Sequence, residues 1–139
     1  RDEKALMEQI DAAFDGVTLE DGIGLMTTQL LDMYAPREVC AAVAPCEERS
    51  DWRRITPAMV RACWDALIFT DPKGYRFLLP AWLTLDLRGQ LGDFDALDYL
   101  PLLPENCGIY ESQAVLLNDR QLEAVINFIE YRQREDCSP

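Results

Sequence analysis

The sequence contains no histidine, and basic side chains are scarce: 13 Lys and Arg stand against 25 Asp and Glu in 139 residues. Histidine is the side chain that most often serves as a general base, a proton shuttle or a metal ligand near neutral pH. Its absence, together with a formal net charge of -12, favours a non-enzymatic binding protein over an enzyme.

Metal and phosphate-binding motifs are lacking as well. The cysteines form no CxxC pair, and the chain has no glycine-rich phosphate loop and no serine elbow. Asp93, Asp95 and Asp98 offer carboxylates that suit a hard cation. Their spacing is not that of a calcium loop, because the expected glycine and the terminal glutamate are missing. We therefore expect no metal and no cofactor.

Two further features predict where the protein works. Five cysteines make an odd number, which favours free thiols and a reducing cytoplasm. A local bridge between Cys40 and Cys46 in an oxidising compartment is the alternative. No apolar run approaches the roughly 20 residues that span a bilayer, so we expect a cytoplasmic protein that does not enter a membrane.

The negative charge is concentrated at both ends of the chain. Residues 1–36 carry a net charge of -6, residues 37–88 carry +1 and residues 89–139 carry -7. Nucleic acids and anionic membranes would be repelled by such flanks, so neither is expected as a partner. Acidic flanks that only maintain solubility are one interpretation. A surface complementary to a basic protein is the more specific one. Its predicted residues are Asp93, Asp95, Asp98, Glu105 and Glu111.

The N-terminal third has the apolar spacing of helices. Residues 6–17 place their apolar side chains on one helical face. Thr18 and Asp21 have the spacing of a capping box, which predicts a second helix over residues 19–33. Residues 35–51 mix prolines and charges without a clear period, so a short helix followed by a loop is expected there.

The centre of the chain predicts a helix, a turn and a short extended piece. Thr56 and Pro57 are typical of a helix start, and an apolar stripe then continues to about residue 69. Residues 71–74 have turn chemistry, with Gly74 free to adopt a positive φ. In residues 75–79, Tyr75, Phe77 and Leu79 alternate with Arg76 and Leu78, and this period of two suggests an extended segment.

The remaining elements are again helical. Pro80 is suited to open a helix that runs to residues 88 and 89. A helix around residues 93–100 is the next expectation. Asn118 and Gln121 look like a capping pair for a last helix. With 49% hydrophobic residues, the chain is long and apolar enough for one core. The overall prediction is a mainly α, single compact domain over residues 1–139.

Part of the chain resembles a family of small uncharacterised bacterial proteins described as a domain of unknown function. The resemblance is carried by the stretches DWRRITPAMV, FTDPKGYRFLLPAW and LLNDRQLEAVINFIEY. The N-terminal helices fit it more loosely, and the resemblance as a whole covers about two thirds of the chain. It implies no activity and no catalytic residue. The matching residues are Trp52, Ile55, Pro57, Phe69, Asp71, Pro72, Gly74, Tyr75, Arg76, Phe77, Leu79, Pro80, Trp82, Leu117, Gln121, Ala124, Val125 and Phe128.

Arg76 is the one residue of the central stretch with two interpretations. Its guanidinium can pair with Asp71 or Asp86, or it can present a bidentate fork to a ligand. A pocket in which all three converge would indicate an enzyme based on carboxylates and arginine, or a small-ligand-binding protein. A structural or oligomer subunit is a further alternative, and it predicts a large exposed apolar patch that includes Trp52 or Trp82.

The sharpest functional hypothesis combines size, charge and the missing catalytic equipment. It is an inhibitor or immunity-type protein that neutralises a basic toxin or enzyme by covering its active site with an acidic face. Association with such a partner should be fast and salt-dependent.

Overall fold

A computed structural model of the protein describes residues 2–106 and 108–136. In this part of the chain there are seven α-helices and no strand, which confirms the mainly α prediction. The helices are α1 (Glu3–Ala13), α2 (Leu25–Asp32), α3 (Arg37–Val43), α4 (Pro57–Ala62), α5 (Ala66–Phe69), α6 (Pro72–Leu87) and α7 (Asp119–Asp136). Short 3-10 turns lie at Ala44–Cys46, Trp52–Arg54, Ala96–Tyr99, Pro104–Asn106 and Gln113–Leu116.

Helix α6 runs through the centre of the molecule. It contacts α1, α5 and the turns at residues 52–54, 96–99 and 113–116, while α1 also packs against α7. Such central placement requires apolar residues on nearly every face of the helix, which its sequence provides. The largest fully buried side chains are Trp82, Tyr75, Phe14, Phe77, Phe128, Leu6 and Ile10.

The predicted turn and extended segment at residues 71–79 are wrong, because this stretch forms the first half of α6. Asp71 is the N-cap, and its Oδ1 accepts a hydrogen bond of 2.8 Å from the backbone N–H of Gly74. Pro72 occupies the first turn, where its missing N–H costs nothing. Pro80 lies inside the helix and does not open a new one. The end predicted at residues 88 and 89 is confirmed, since Arg88 is the C-cap.

Gly74 is needed for close packing and not for a positive φ. A Cβ at this position would overlap the hydroxyl of Thr70 and the carbonyl of Ile23. The same Thr70 hydroxyl donates a 2.8 Å hydrogen bond to that carbonyl, and Asp71 Oδ1 also accepts from the N–H of Ile23 at 3.1 Å. The start of α6 is thereby fastened to the loop that precedes α2.

That loop replaces the predicted start of the second helix. The capping box at Thr18 and Asp21 is wrong, because α2 begins only at Leu25 after a Gly24 N-cap that offers no side chain. The cap comes from a distant residue. Buried Glu47 accepts hydrogen bonds from the N–H groups of Met26 (3.0 Å) and Thr27 (2.6 Å), which a local sequence pattern cannot reveal.

Two other helix predictions need adjustment. Thr56 caps α4 as expected, with a 3.2 Å bond from the N–H of Met59, but the helix ends at Ala62 and α5 follows separately. Buried Cys63 ends α4, and burial raises the pKa of its thiol. The helix expected over residues 93–100 is only a 3-10 turn.

The capping pair predicted at the start of the last helix, α7, is confirmed by reciprocal hydrogen bonds. The N–H of Gln121 donates to Asn118 Oδ1 at 2.8 Å, and the N–H of Asn118 donates to Gln121 Oε1 at 3.0 Å.

Within the described residues, no helix has the length and apolar character required to cross a membrane. Cys40, Cys46 and Cys63 carry free thiols, and the other two cysteines lie outside the described residues.

Candidate protein-binding face

The predicted binding residues lie on a segment of largely irregular backbone, residues 93–106 and 108–111, whose shape is held by side chains. The hydroxyl of buried Tyr75 donates a 2.7 Å hydrogen bond to the carbonyl of Tyr99. Asn106, also buried, donates through Nδ2 to the carbonyls of Leu97 (2.9 Å) and Leu100 (3.0 Å). These two buried side chains thus satisfy three backbone carbonyls of the segment, those of Leu97, Tyr99 and Leu100.

Aromatic rings pack beneath the segment. The rings of Tyr75 and Tyr110 are stacked with centroids 6.3 Å apart, and Tyr99 meets Tyr110 at 60° and the same distance. Phe94 makes an edge contact with Tyr99 at 6.1 Å. Burial raises the pKa of Tyr99 to about 12, with further contributions from Tyr110 and the nearby charge of Asp98. The hydroxyls therefore stay neutral at physiological pH.

An ion-pair network attaches the start of the segment to two helices. Arg132 on α7 pairs with Asp86 on α6, and its Nη2 donates to Asp95 Oδ1 at 2.8 Å. The second oxygen of Asp86 accepts a 2.9 Å hydrogen bond from the N–H of Ala96. Burial alone would lower the pKa of the Arg132 guanidinium, but its bonds to Asp95 and Asp86 raise it overall. Arg132 is therefore always charged, and it links the start of the segment to α6 and α7.

Two of the predicted carboxylates, Asp95 and Glu105, act electrostatically on a third, Asp98, and we call these three residues the acidic face. Partial burial raises the pKa of Asp98, and the negative charges of Asp95 and Glu105 raise it further, while Arg132 opposes them. All three residues are exposed. The acidic face therefore carries an accumulated negative potential that Arg132 only partly neutralises.

The two other predicted residues flank this face. Asp93 is exposed two residues before Asp95, and Glu111 is exposed beside Tyr110, whose own pKa is raised by burial and by the charge of Asp98. The segment thus presents acidic side chains along its length.

Two apolar side chains accompany the acidic residues. Leu102 is 62% exposed and Ile109 is 55% exposed. Leu102 also has a φ of 76°, a left-handed conformation that costs a branched L-residue about 1–2 kcal/mol. Leu102, which lies between Asp98 and Glu105 in sequence, therefore exposes a large apolar side chain to solvent on a strained backbone.

The second predicted group, Asp71, Arg76 and Asp86, does not form one site. Asp71 caps the start of α6, whereas Asp86 lies near the end of α6 and pairs with Arg132. Arg76 pairs with Glu20, so neither aspartate is its partner. The guanidinium Nε of Arg76 is buried without a hydrogen-bond partner in the described part of the chain. Their separation along α6 removes the basis for a shared catalytic pocket.

Trp52 and Trp82, the markers of an exposed oligomer interface, are both buried. Large apolar side chains do reach solvent elsewhere, just after α2, just before α5 and on α5. They include Met33, Tyr34, Trp64, Ile68 and Phe69.

Sequence reasoning missed Arg132 and Leu102. A signal for Arg132 exists, because Gln121, Val125, Phe128 and Arg132 recur at steps of four, three and four and so share the buried face of α7. A charged residue at such a position requires a buried partner. No local pattern reveals the backbone conformation of Leu102.

A protein-family model described as a family of unknown function (DUF6714) matches residues 2–138. No curated protein and no solved structure matches the chain significantly. In residues 2–106 and 108–136, no three acidic or cysteine side chains converge as a metal site would require.

Proposed function

The chain belongs to the DUF6714 family of unknown function, and we propose that this member is a non-enzymatic protein-binding domain that receives a basic protein on its acidic face. In its sharper form, the proposal is an inhibitor or immunity-type protein that covers the active site of a basic toxin or enzyme in a bacterial cytoplasm. Family membership supplies no activity, so the proposal rests on this chain's own surface.

The observation that carries the proposal is the crowding of negative charge around Asp98. The pKa of this carboxyl is raised by partial burial and then by the charges of Asp95 and Glu105, so Asp98 is repelled by both neighbours in the free protein. A lysine or arginine from a partner would relieve that repulsion while gaining charge-assisted hydrogen bonds. A basic surface is therefore the partner that this face fits best.

Apolar contact would come from Leu102 and Ile109. Interfaces usually combine a buried apolar centre with a polar, charged rim. Both side chains are more than half exposed in the free protein, and they alternate along the chain with Asp98, Glu105 and Glu111. Burial of Leu102 against a partner would contribute hydrophobic free energy, which would offset part of the cost of its strained backbone.

The anchoring of the segment favours tight association. Tyr75 and Asn106 bond its backbone carbonyls, and Arg132 bonds the side chain of Asp95, before any partner arrives. A preorganised surface loses little conformational entropy on binding, so more of the contact free energy appears as affinity. Inhibitors that cover an active site depend on this property.

The test compares two triple variants with the same change in charge. One carries Asp98→Asn, Glu105→Gln and Glu111→Gln. The control carries Glu38→Gln, Glu123→Gln and Glu130→Gln, three exposed acids on α3 and α7. Asp95 is left intact because it bonds Arg132. Each protein, with the wild type, is immobilised and used to capture partners from native lysate, which are eluted with rising salt and identified by mass.

We expect the wild type and the control to retain one stoichiometric basic protein, and the first variant to lose it. With that partner purified, the association rate of the first variant should fall at least tenfold at low salt and lose most of its salt dependence. Retention of the partner by both triple variants would place the interface elsewhere. Absence of any basic partner from the wild-type eluate would refute the proposal.

A further inference from the structure

A groove with a volume of about 430 Å³ lies between α1 and α6, with the turn Trp52–Arg54 as a third wall. This volume falls within the range of small-molecule sites, roughly 300–1,000 Å³. The groove shares no residue with the acidic face, so a ligand bound in it would not depend on the proposed protein partner.

The middle of the groove is apolar. Met7 on α1, Leu85 on α6 and Ile55 after the turn line it together with the indole of Trp52. Ala81 of α6 also lines it, and its small side chain leaves open volume where a larger residue would fill the space. Such a lining accepts a flat or elongated apolar body.

The two ends of the groove differ in charge. Glu3 lines the neighbouring cavity with Asp86 and Gly89, which places the first turn of α1 beside the end of α6. Lys4 and Arg88 therefore lie at the same end of the groove. Neither forms an ion pair with another described residue. Both side chains are therefore available to bind an anionic group.

The opposite end carries excess negative charge. Arg53 donates to Asp11 at 2.6 Å, pairs with Asp15 at 3.1 Å and with Asp51 at 3.3 Å, and lies 4.6 Å from the centroid of the Trp52 ring. These three carboxylates leave the Arg53 end net negative. An anionic ligand group would be repelled from that end and attracted to the other.

Glu8 separates the two ends. It lies one turn after Lys4 on α1, towards Asp11, and also lines the groove. Its carboxylate adds to the negative charge beside the apolar section. The lining therefore allows an anion only near Lys4 and Arg88, with the rest of the ligand uncharged.

We propose that this groove binds a small molecule with an apolar or aromatic body and one terminal anionic group, such as a carboxylate, sulfonate or phosphate, held by Lys4 and Arg88. The body lies against Met7, Ile55 and Leu85, and its approach to Trp52 provides an optical signal. No activity is attached to this site.

A matched pair of fluorescent probes tests the charge requirement. The anionic probe is 8-anilinonaphthalene-1-sulfonate, and N-phenyl-1-naphthylamine has a similar aromatic body without the sulfonate. We expect saturable binding of one anionic probe per chain, with energy transfer from tryptophan that is reduced in a Trp52→Phe variant. The neutral probe should bind roughly a hundredfold more weakly, because it lacks the two charge-assisted contacts with Lys4 and Arg88, each of which supplies about tenfold.

Substitutions of opposite sign locate the site. Lys4→Gln and Arg88→Gln should each weaken binding of the anionic probe about tenfold, whereas Glu8→Gln should strengthen it. Binding of the neutral probe should be unchanged by all three. Arg37→Gln and Arg120→Gln, at exposed arginines outside the groove, control for the general loss of positive charge and should leave both affinities as they are.

Filling the groove provides a further check. Ala81→Met should abolish binding of both probes, and circular dichroism would verify that the variant is folded. If this variant unfolds, the Lys4, Arg88 and Glu8 series decides alone. Equal binding of the two probes, unchanged affinity in Lys4→Gln and Arg88→Gln, or weaker binding in Glu8→Gln would each overturn the proposal.

Discussion

Arg132 and Asp86 form a buried ion pair between α7 and α6, across 46 residues of sequence. The side chain of Asp86 is 3% exposed and that of Arg132 is 16% exposed. Arg132 also holds Asp95, and Asp86 also accepts the N–H of Ala96. This pair therefore joins the helical core to the segment that carries the acidic face.

Removal of the cation should be costly. In Arg132→Gln, the Asp86 carboxylate stays buried without its charged partner, and we expect a loss of roughly 3–5 kcal/mol in the free energy of unfolding. Urea denaturation measures it. Arg120→Gln, on the exposed side of the same helix, should change stability by less than about 0.5 kcal/mol. Adding Asp86→Asn to Arg132→Gln should recover part of the loss, and a purely additive double variant would contradict the pair's role.

Asp65 makes stability depend on pH. Its pKa is raised above the ordinary 3.8, first by burial and then by a hydrogen bond with Asp32 and that residue's charge. The folded protein therefore retains a proton that the unfolded chain releases. The favourable contribution is complete below pH 3.8 and is lost as the pH rises through the raised value.

Replacement of Asp65 by Asn should remove this dependence. Asn keeps a donor for Asp32 without gaining a charge, so we expect Asp65→Asn to be more stable than the wild type at about pH 7, by on the order of 1 kcal/mol. The difference should shrink towards about pH 4. Urea midpoints across this pH range measure it. Asp93→Asn serves as an exposed control, and a constant difference at every pH would be inconsistent with the explanation.

Gly74 should tolerate no side chain. Gly74→Ala places a methyl group against the Thr70 hydroxyl and the Ile23 carbonyl, and we expect a destabilisation of about 3 kcal/mol or more because backbone must move. Gly16→Ala provides the contrast, since a Cβ there meets nothing within 4 Å and only the φ of 78° is unfavourable. That variant should lose about 1 kcal/mol. Equal thermal midpoints would argue against the packing explanation.

Leu102 offers a variant that separates stability from binding. Glycine adopts its φ of 76° without strain, so Leu102→Gly should be at least as stable as the wild type in thermal unfolding. If Leu102 contacts the basic partner, the same variant should dissociate faster. Thr18→Gly, at another exposed position, is the control for a new glycine. A stability loss above about 1 kcal/mol would show that Leu102 supports the fold.

Sequence periodicity and local caps account for much of the helical architecture. The caps at Thr56 and at the Asn118–Gln121 pair are predictable because their hydrogen bonds close within three residues. The prediction at Asp71 is wrong because an Asp-Pro sequence serves equally as a turn and as a helix start. Burial of most of α6 in the core selects the helix, which local propensity cannot indicate.

For the candidate binding face, too, some features follow from the sequence and others only from the tertiary structure. Composition and charge order by themselves determined that residues 89–139 are acidic and that Asp93, Asp95, Asp98, Glu105 and Glu111 precede the next basic residue. Only the tertiary structure decided that Asp95 and Glu105 act on Asp98, that Arg132 bonds Asp95, and that Lys4 and Arg88 share a groove. The physical reason is distance. Charge counts add along the chain, whereas electrostatic interaction depends on separations in space that are set by the packing of α1, α6 and α7.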